Sequence, residues 1–105
     1  MSQVIRNVRV RADYIQLREG LLSFLSDHLW VNSKRLEGYL SITGPELRGL
    51  VHDLRCLGYP LVSGSGGYRL SDNPDEVTTC ILSLETRANQ IMACVNDWRA
   101  NRKDK

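Results

Sequence analysis

The segment from Thr43 to Leu70 restricts the fold of this chain more than any other part of the sequence. It opens with the pattern of a capping box, because Thr43 can cap a helix, Glu46 follows three residues later and Pro45 lies in the first turn. Apolar side chains then recur at helical spacing, at Leu47, Leu50, Val51, Leu54 and Leu57. The pattern predicts an amphipathic helix that begins after Thr43.

A turn and a hairpin are predicted directly after this helix. Gly58 suits the left-handed conformation that ends a helix, and Pro60 prevents its continuation. Leu61–Ser63 and Tyr68–Leu70 read as two short strands joined by a glycine-rich loop. The loop lacks the Lys-Ser/Thr pair and the following helix of a phosphate-binding loop, so it is interpreted as a hairpin turn.

A shorter helix is predicted before Thr43. Asn32 is its expected cap, and Leu36, Tyr39 and Leu40 are expected to turn inward. The link Ser41–Thr43 has the length that joins the two helices of a helix-turn-helix.

From Val31 to Leu70 the chain resembles the winged helix-turn-helix modules of bacterial regulators, including the DNA-binding domain of biotin repressors and small phage-encoded winged-helix proteins. The resemblance implies a mainly α, α+β fold in which the second helix of the motif meets DNA and the hairpin forms the wing. It is more specific for fold than for function. The residues that carry it are Val31, Leu36, Leu40, Ile42, Thr43, Leu47, Val51, Leu54, Gly58-Tyr59-Pro60-Leu61 and Gly67-Tyr68-Arg69-Leu70.

Candidate DNA contacts lie on the side of this helix away from its apolar face. Arg48, His52 and Arg55 recur at i, i+4 and i+7 and are expected to form one outward stripe, with Gly49 between them permitting close backbone approach. An arginine can bond guanine through two hydrogen bonds or clamp a phosphate. Against this, the acidic Glu46 in the first turn is expected to repel phosphate. The remaining predicted contacts are Thr43, Ser63, Ser65 and Arg69.

Residues 1–12 are predicted to form a short strand or an arm that carries Arg6, Arg9 and Arg11 toward phosphate. A frayed terminus with solvated arginines is the alternative.

The first helix is expected from Asp13, its cap, to about His28, with Gly20 marking a kink or close packing. Trp30 is expected in the core. The predicted domains are an arm over 1–12, a winged helix-turn-helix over 13–72 and a C-terminal helix over 73–105.

The C-terminal helix has its own start signal, with Asn73 as cap, Pro74 at the first position and Glu76 at the third. Its apolar residues are separated alternately by four and three positions, which is a seven-residue repeat typical of a dimerising coiled coil. Parallel pairing, antiparallel pairing and partial packing on the first helix all remain open. The predicted dimerisation residues are Val77, Ile81, Leu84, Ala88, Ile91, Val95 and Trp98.

Composition limits the remaining functions. The net charge is only +2, so DNA affinity would depend on placed contacts more than on a broad field. There is no apolar run of the ~20 residues that a membrane span needs and no signal-peptide core, which favours a cytoplasmic protein without membrane partners. Cys56, Cys80 and Cys94 are expected to be buried free thiols, and neither His28 nor His52 has partners at metal or catalytic spacing. No enzyme activity, metal or cofactor is expected.

Two functions fit the sequence. The first is a small homodimeric winged-helix regulator, of the phage-encoded kind, that binds double-stranded DNA. The second is a protein-interaction module of the same fold, an adaptor or an inhibitor of a host enzyme, that does not read DNA.

Overall fold

Four helices and one antiparallel hairpin form the described part of the chain, residues 8–103 of a computed structural model. The fold is mainly helical with a small sheet, as an α+β class requires. A 3₁₀ turn at Val8–Val10 precedes the first helix. The elements are α1 (Tyr14–Phe24), α2 (Ser33–Leu40), α3 (Gly44–Cys56), β1 (Leu61–Gly64), β2 (Gly67–Leu70) and α4 (Pro74–Asn101).

The ends of α3 are those that the sequence predicts. The Thr43 hydroxyl accepts a hydrogen bond from the Glu46 amide at 3.3 Å, and the Glu46 carboxylate accepts one from the Thr43 amide at 3.0 Å. Gly58 follows the helix with φ +99°, in the region that only glycine adopts without strain. The capping box and the glycine stop are therefore confirmed.

The predicted caps and inward-facing side chains of α1 and α2 agree with the structure only in part. Asn32 caps α2 by accepting a hydrogen bond from the Arg35 amide at 2.8 Å, and Leu36 is buried. The prediction for Tyr39 is wrong, because this ring lies exposed and stacks on Phe24 of α1 with centroids 4.2 Å apart. Asp13 flanks α1 but makes no side-chain capping bond.

The first helix is shorter than predicted. It ends at Phe24, and His28 adopts a positive φ of 63° while its ring Nδ1 lies 2.8 Å from the Leu70 carbonyl oxygen. Gly20 provides close packing, since a Cβ there would lie 3.1 Å from a methyl of Leu40. The residues after Phe24 cross to the hairpin, where His28 and Val31 contact β2.

One leucine-rich core joins α1, α2 and α3. The fully buried side chains are Leu21, Leu25, Leu36, Leu47, Leu50 and Leu54. Val8 belongs to the same core, and its side chain packs over Gly49 of α3, where an added Cβ would lie 3.4 Å away. An extended strand or arm is therefore wrong for residues 8–12, and Gly49 faces inward rather than toward a ligand. Residues 1–7 lie outside the described part.

The hairpin is attached to the helical core through Val31. β1 pairs with β2 from Leu61–Leu70 to Gly64–Gly67, and Val31 exchanges two 2.9 Å backbone hydrogen bonds with Tyr68. Trp30 covers the hairpin turn at Gly64 and Gly66 and is 44% exposed, so its predicted place in the core is wrong.

The C-terminal helix α4 extends well beyond the core. It has 28 residues, about 42 Å of helix, and Asn73 caps it by accepting a hydrogen bond from the Asp75 amide. None of its residues, all within the described range, is buried. Its first half, as far as Arg87, lies beside the hairpin and α3, with its main contacts on β1. The predicted coiled-coil seam is consequently open along most of its length.

Replacing Gly67 with Ala tests the close contact between the hairpin and Val31. Gly67 has φ +110°, and an added Cβ would overlap the Val31 carbonyl. We expect Gly67→Ala to lower the free energy of unfolding by about 1–3 kcal/mol more than Gly58→Ala, because Gly58 has a similar positive φ of +99° but open space around it. Urea unfolding followed by circular dichroism measures both, and equal losses would contradict this close contact.

Candidate nucleic-acid interface

A cleft of about 410 Å³ lies between α3, the hairpin and α4. Arg48, His52 and Arg55 of α3 line it together with Arg87 of α4. The hairpin contributes the hydroxyl groups of Ser63 and Tyr68, and the apolar side chains of Val51 and Leu84 complete the lining. Among the described residues that line this cationic cleft, none is acidic.

Two arginines of the cleft have N–H donors that no described protein group accepts. Arg48 and Arg87 are exposed, and within residues 8–103 neither forms a hydrogen bond or an ion pair. His52 is also exposed, and its Nε2 lies 3.6 Å from the Cys56 thiol. These three side chains can therefore turn to an anion without breaking a strong contact.

Arg55 has a different position from the one predicted. It is half-buried, and its Nε donates to the Leu61 carbonyl at 2.7 Å, while Nη2 donates to the Ser63 hydroxyl at 3.1 Å. The same Nη2 lies 3.8 Å from the Cys80 thiol of α4. The expected outward stripe thus ends at His52, and Arg55 joins α3 to β1 and α4 at the floor of the cleft.

The acidic residues of α3 lie on its opposite, inner side. Asp53 is buried, and its carboxylate accepts a forked hydrogen bond from Arg9 Nε, 2.8 Å from each oxygen. It accepts a further hydrogen bond from Arg9 Nη2 and one of 2.5 Å from the Tyr14 hydroxyl. The Arg9 hydrogen bonds, followed by that from Tyr14, lower the pKa of Asp53 to about 2. The carboxylate is therefore charged and compensated within the fold.

Glu46 is compensated in the same way. Its side chain is only 10% exposed, it accepts hydrogen bonds from Thr43, and both carboxylate oxygens lie 3.2 Å from Arg11 Nη1. The Thr43 backbone hydrogen bond and the Arg11 contact lower the pKa of Glu46. Arg11 also pairs with Asp13 at 2.9 Å. The expectation that Glu46 faces a phosphate is wrong, because the capping box turns it inward.

The other predicted contacts are distributed around the cleft. Arg69 points away from it, donating to the His28 carbonyl at 2.9 Å and pairing with Glu76 over the Trp30 ring. The Thr43 hydroxyl is engaged in the cap, whereas Ser65 is exposed at the hairpin turn. Arg6 lies outside the described residues. Of the three N-terminal arginines, Arg9 and Arg11 bind the inner side of α3.

Sequence reasoning missed the contribution of Arg87 to the cleft. Nothing in the local sequence pattern shows that α4 brings this side chain into the same cleft as Arg48 and His52. The cysteines also differ from expectation: none of Cys56, Cys80 and Cys94 is in a disulfide, but Cys56 and Cys94 are exposed rather than buried.

Wider searches give no further assignment. Comparisons with protein-family models, with curated proteins and with solved structures returned no match to this chain. Between residues 8 and 103, no helix has both the length and the apolar character needed to cross a membrane. Within the same range, His, Cys, Asp and Glu side chains form no group of three that could hold a metal ion.

Replacing Asp53 with Asn tests the compensated carboxylate. The pKa of Asp53 in the fold is about 2, below its ordinary value of 3.8, so its contribution to stability is complete above about pH 4 and is lost as the pH falls through about 2. We expect Asp53→Asn to cost about 1–3 kcal/mol at pH 6 and close to nothing at pH 2.

Urea unfolding at pH 6, 4, 3 and 2 measures this difference. Asp97→Asn, which removes an exposed carboxylate of α4, is the matched control. A loss for Asp53→Asn that stays constant from pH 6 to pH 2 would contradict the role of the charge.

Proposed function

We propose that this chain is a winged helix-turn-helix protein that binds double-stranded DNA as a homodimer. It would act in the cytoplasm as a small transcriptional regulator of the kind that phages encode, without a catalytic role. The order of a capped α2, a short link, α3 and a hairpin supports this fold. In this proposal α3 is the recognition helix and the hairpin is the wing.

The separation of charge across α3 carries the proposal. Its two acids are buried and paired on the inner side, while Arg48 and His52 are exposed on the outer side beside Arg87. A net charge of +2 gives little general attraction to DNA. Cations placed in a cleft whose described lining contains no acid supply local attraction instead, and they do so at the helix that the resemblance assigns to DNA.

The proposed mode of binding follows from these positions. The exposed side of α3 enters the major groove, which is wide enough for a helix, and Arg48 and His52 reach base edges or phosphates there. Arg87 contacts a flanking phosphate from α4. The hairpin turn offers the Ser65 hydroxyl and backbone amides to the DNA backbone, because Arg69 is engaged elsewhere.

The N-terminal arginines have separate roles in this proposal. Arg9 and Arg11 hold the inner side of α3 and serve folding. Arg6 remains a proposed phosphate contact. Substitution of Arg9 or Arg11 would consequently disturb stability before it disturbs DNA affinity.

Arg48→Ala and Arg87→Ala test the cleft as a DNA surface. We expect Arg48→Ala to weaken binding of a specific duplex by about 1–3 kcal/mol, since it removes a base or phosphate contact. We expect Arg87→Ala to weaken binding of all duplexes and to reduce the slope of log K against log salt by about 1. Fluorescence anisotropy over a salt series measures both.

Lys103→Ala is the control for charge, because it removes one exposed cation beyond the end of α4. Its affinity should stay close to that of the unaltered chain. If Arg48→Ala and Arg87→Ala bind DNA as well as this control does, the cationic cleft is not the DNA surface.

Pairing through α4 is the second part of the proposal. The large seam residues remain exposed in the single chain, with Ile81 at 51% and Trp98 at 69%. Burying such side chains is worth about 1.5–3 kcal/mol each, which favours association with a second copy. Two linked heads would then present two half-sites on one face of a duplex.

Ile81→Ala and Leu82→Ala form a matched test of the seam. The two side chains are similarly exposed on the same helix, but only Ile81 belongs to the seven-residue repeat. We expect Ile81→Ala to weaken dimerisation by about 1–2 kcal/mol and Leu82→Ala to leave it nearly unchanged. Sedimentation equilibrium measures both, and equal effects would contradict the seam.

The second candidate function is the protein-interaction module. The long apolar face of α4 favours it, because such a face suits a partner protein as well as a second copy. Binding of a random-sequence duplex at about 50 mM salt and micromolar protein separates the two functions. Binding that weakens with salt supports the DNA-binding function, and absence of binding supports the interaction module.

A further inference from the structure

We infer that the two α4 helices of the homodimer run antiparallel and that Trp98 of each chain docks in an apolar groove on the other. The inference rests on the pairing part of the proposed function and does not depend on DNA binding. It assigns a place to Trp98, the one aromatic side chain of α4, and an occupant to a groove that the single chain leaves open.

The groove lies between the first turns of α4 and the segment that leads into β1. It has a volume of about 190 Å³, and its apolar walls are formed by Tyr59, Pro60, Val77 and Ile81. Val77 and Ile81 are also the first two seam positions of α4. The groove and the seam thus form one continuous apolar surface, which a helix lying along the seam would cover.

The chain cannot fill this groove with its own Trp98. Ile81 and Trp98 lie 17 residues apart in the continuous helix α4, which separates them by about 26 Å along its axis. Trp98 is 69% exposed at the far end. An antiparallel partner brings its own far end back to the start of this helix, where the groove is.

The seven-residue repeat gives the register. In an antiparallel pair, the two alternating kinds of seam position face each other. Opposing Ile81 to Trp98 of the partner subunit also opposes Leu84 to Val95 and Ala88 to Ile91. Every seam residue from 81 to 98 then has a counterpart, and the small Ala88 faces a larger side chain near the two-fold axis.

The charges at the two ends of α4 favour the same orientation. The first turn carries the exposed Asp75, besides Glu76 that pairs with Arg69, and the last turn carries Arg99. Antiparallel pairing places the acidic start of each helix near the basic end of the other, and it also opposes the two helix dipoles. Parallel pairing would place like charges together at both ends.

A spin-label distance tests the orientation without altering the seam. The label is attached at Ala100→Cys, which lies off the seam, in a chain whose three native cysteines are replaced by Ser. In the proposed register position 100 lies opposite position 79, so the two labels of a dimer are expected about 32 Å apart. A parallel pair would hold them about 15–25 Å apart, because packed helices lie about 8–10 Å apart and position 100 lies on the outer side of each helix.

Coupling between Trp98 and the groove tests the docking. Tyr59 is outside α4, so it can affect a Trp98 contact only if the groove receives that side chain. We expect Trp98→Ala and Tyr59→Ala each to weaken dimerisation roughly tenfold, and the double variant to be little weaker than either. Tyr39→Ala, which removes an exposed aromatic from α2, should leave dimerisation unchanged.

The outcomes separate the two levels of the proposal. If the chain stays monomeric at every concentration up to about 100 µM, any dissociation constant of a dimer lies above the micromolar range of specific pairs. That result overturns the homodimer and this inference together. A dimer with labels about 15–25 Å apart overturns the antiparallel orientation and leaves the homodimer standing. Additive effects of Tyr59→Ala and Trp98→Ala overturn the docking of Trp98.

Discussion

The ion pairs between the N-terminal segment and the inner side of α3 are the interactions on which the candidate interface depends. Asp53 and Glu46 are buried carboxylates, and such groups are costly in a fold unless hydrogen bonds and opposite charge compensate them. Arg9 and Arg11 provide that compensation. Because the acids of α3 are held inside, its outer side keeps only neutral and basic groups.

Several arginines serve the fold rather than a ligand. Arg55 ties α3 to β1 through two hydrogen bonds, and Arg69 ties β2 to the segment before it and to Glu76 of α4. Both side chains lie where a sequence pattern would assign them to a surface. The cations that remain available around the cleft are therefore few, in keeping with a net charge of +2 and with binding through placed contacts.

Features fixed by neighbouring residues were predictable from the sequence. The capping box at Thr43, the cap at Asn32 and the stop at Gly58 depend on residues within one helical turn, and the hairpin depends on residues within ten positions of each other. The errors arise from contacts between residues far apart in the sequence. Trp30 covers a hairpin turn more than thirty positions away, and the segment 8–12 packs on α3.

The candidate site shows the same division. The positions of Arg48 and His52 follow from helical spacing, whereas Arg55 is drawn inward by the Leu61 carbonyl and Arg87 is brought in by the path of α4. Neither contact has a signal in the helical spacing, because each requires the hairpin or α4 to be placed beside α3. The seam of α4 was predictable as a repeat, but the groove beside it required the hairpin to be placed.

The most direct measurement of the central claim is an NMR titration of the arginine Nε–Hε signals with a DNA duplex. The signals of Arg48 and Arg87 are expected to shift as DNA is added, because these side chains face the cleft without a protein partner among the described residues. Those of Arg9, Arg11, Arg55 and Arg69 are expected to stay nearly constant, since each is held by the fold. Shifts confined to Arg9 and Arg11, with Arg48 and Arg87 unchanged, would contradict a DNA surface on the outer side of α3.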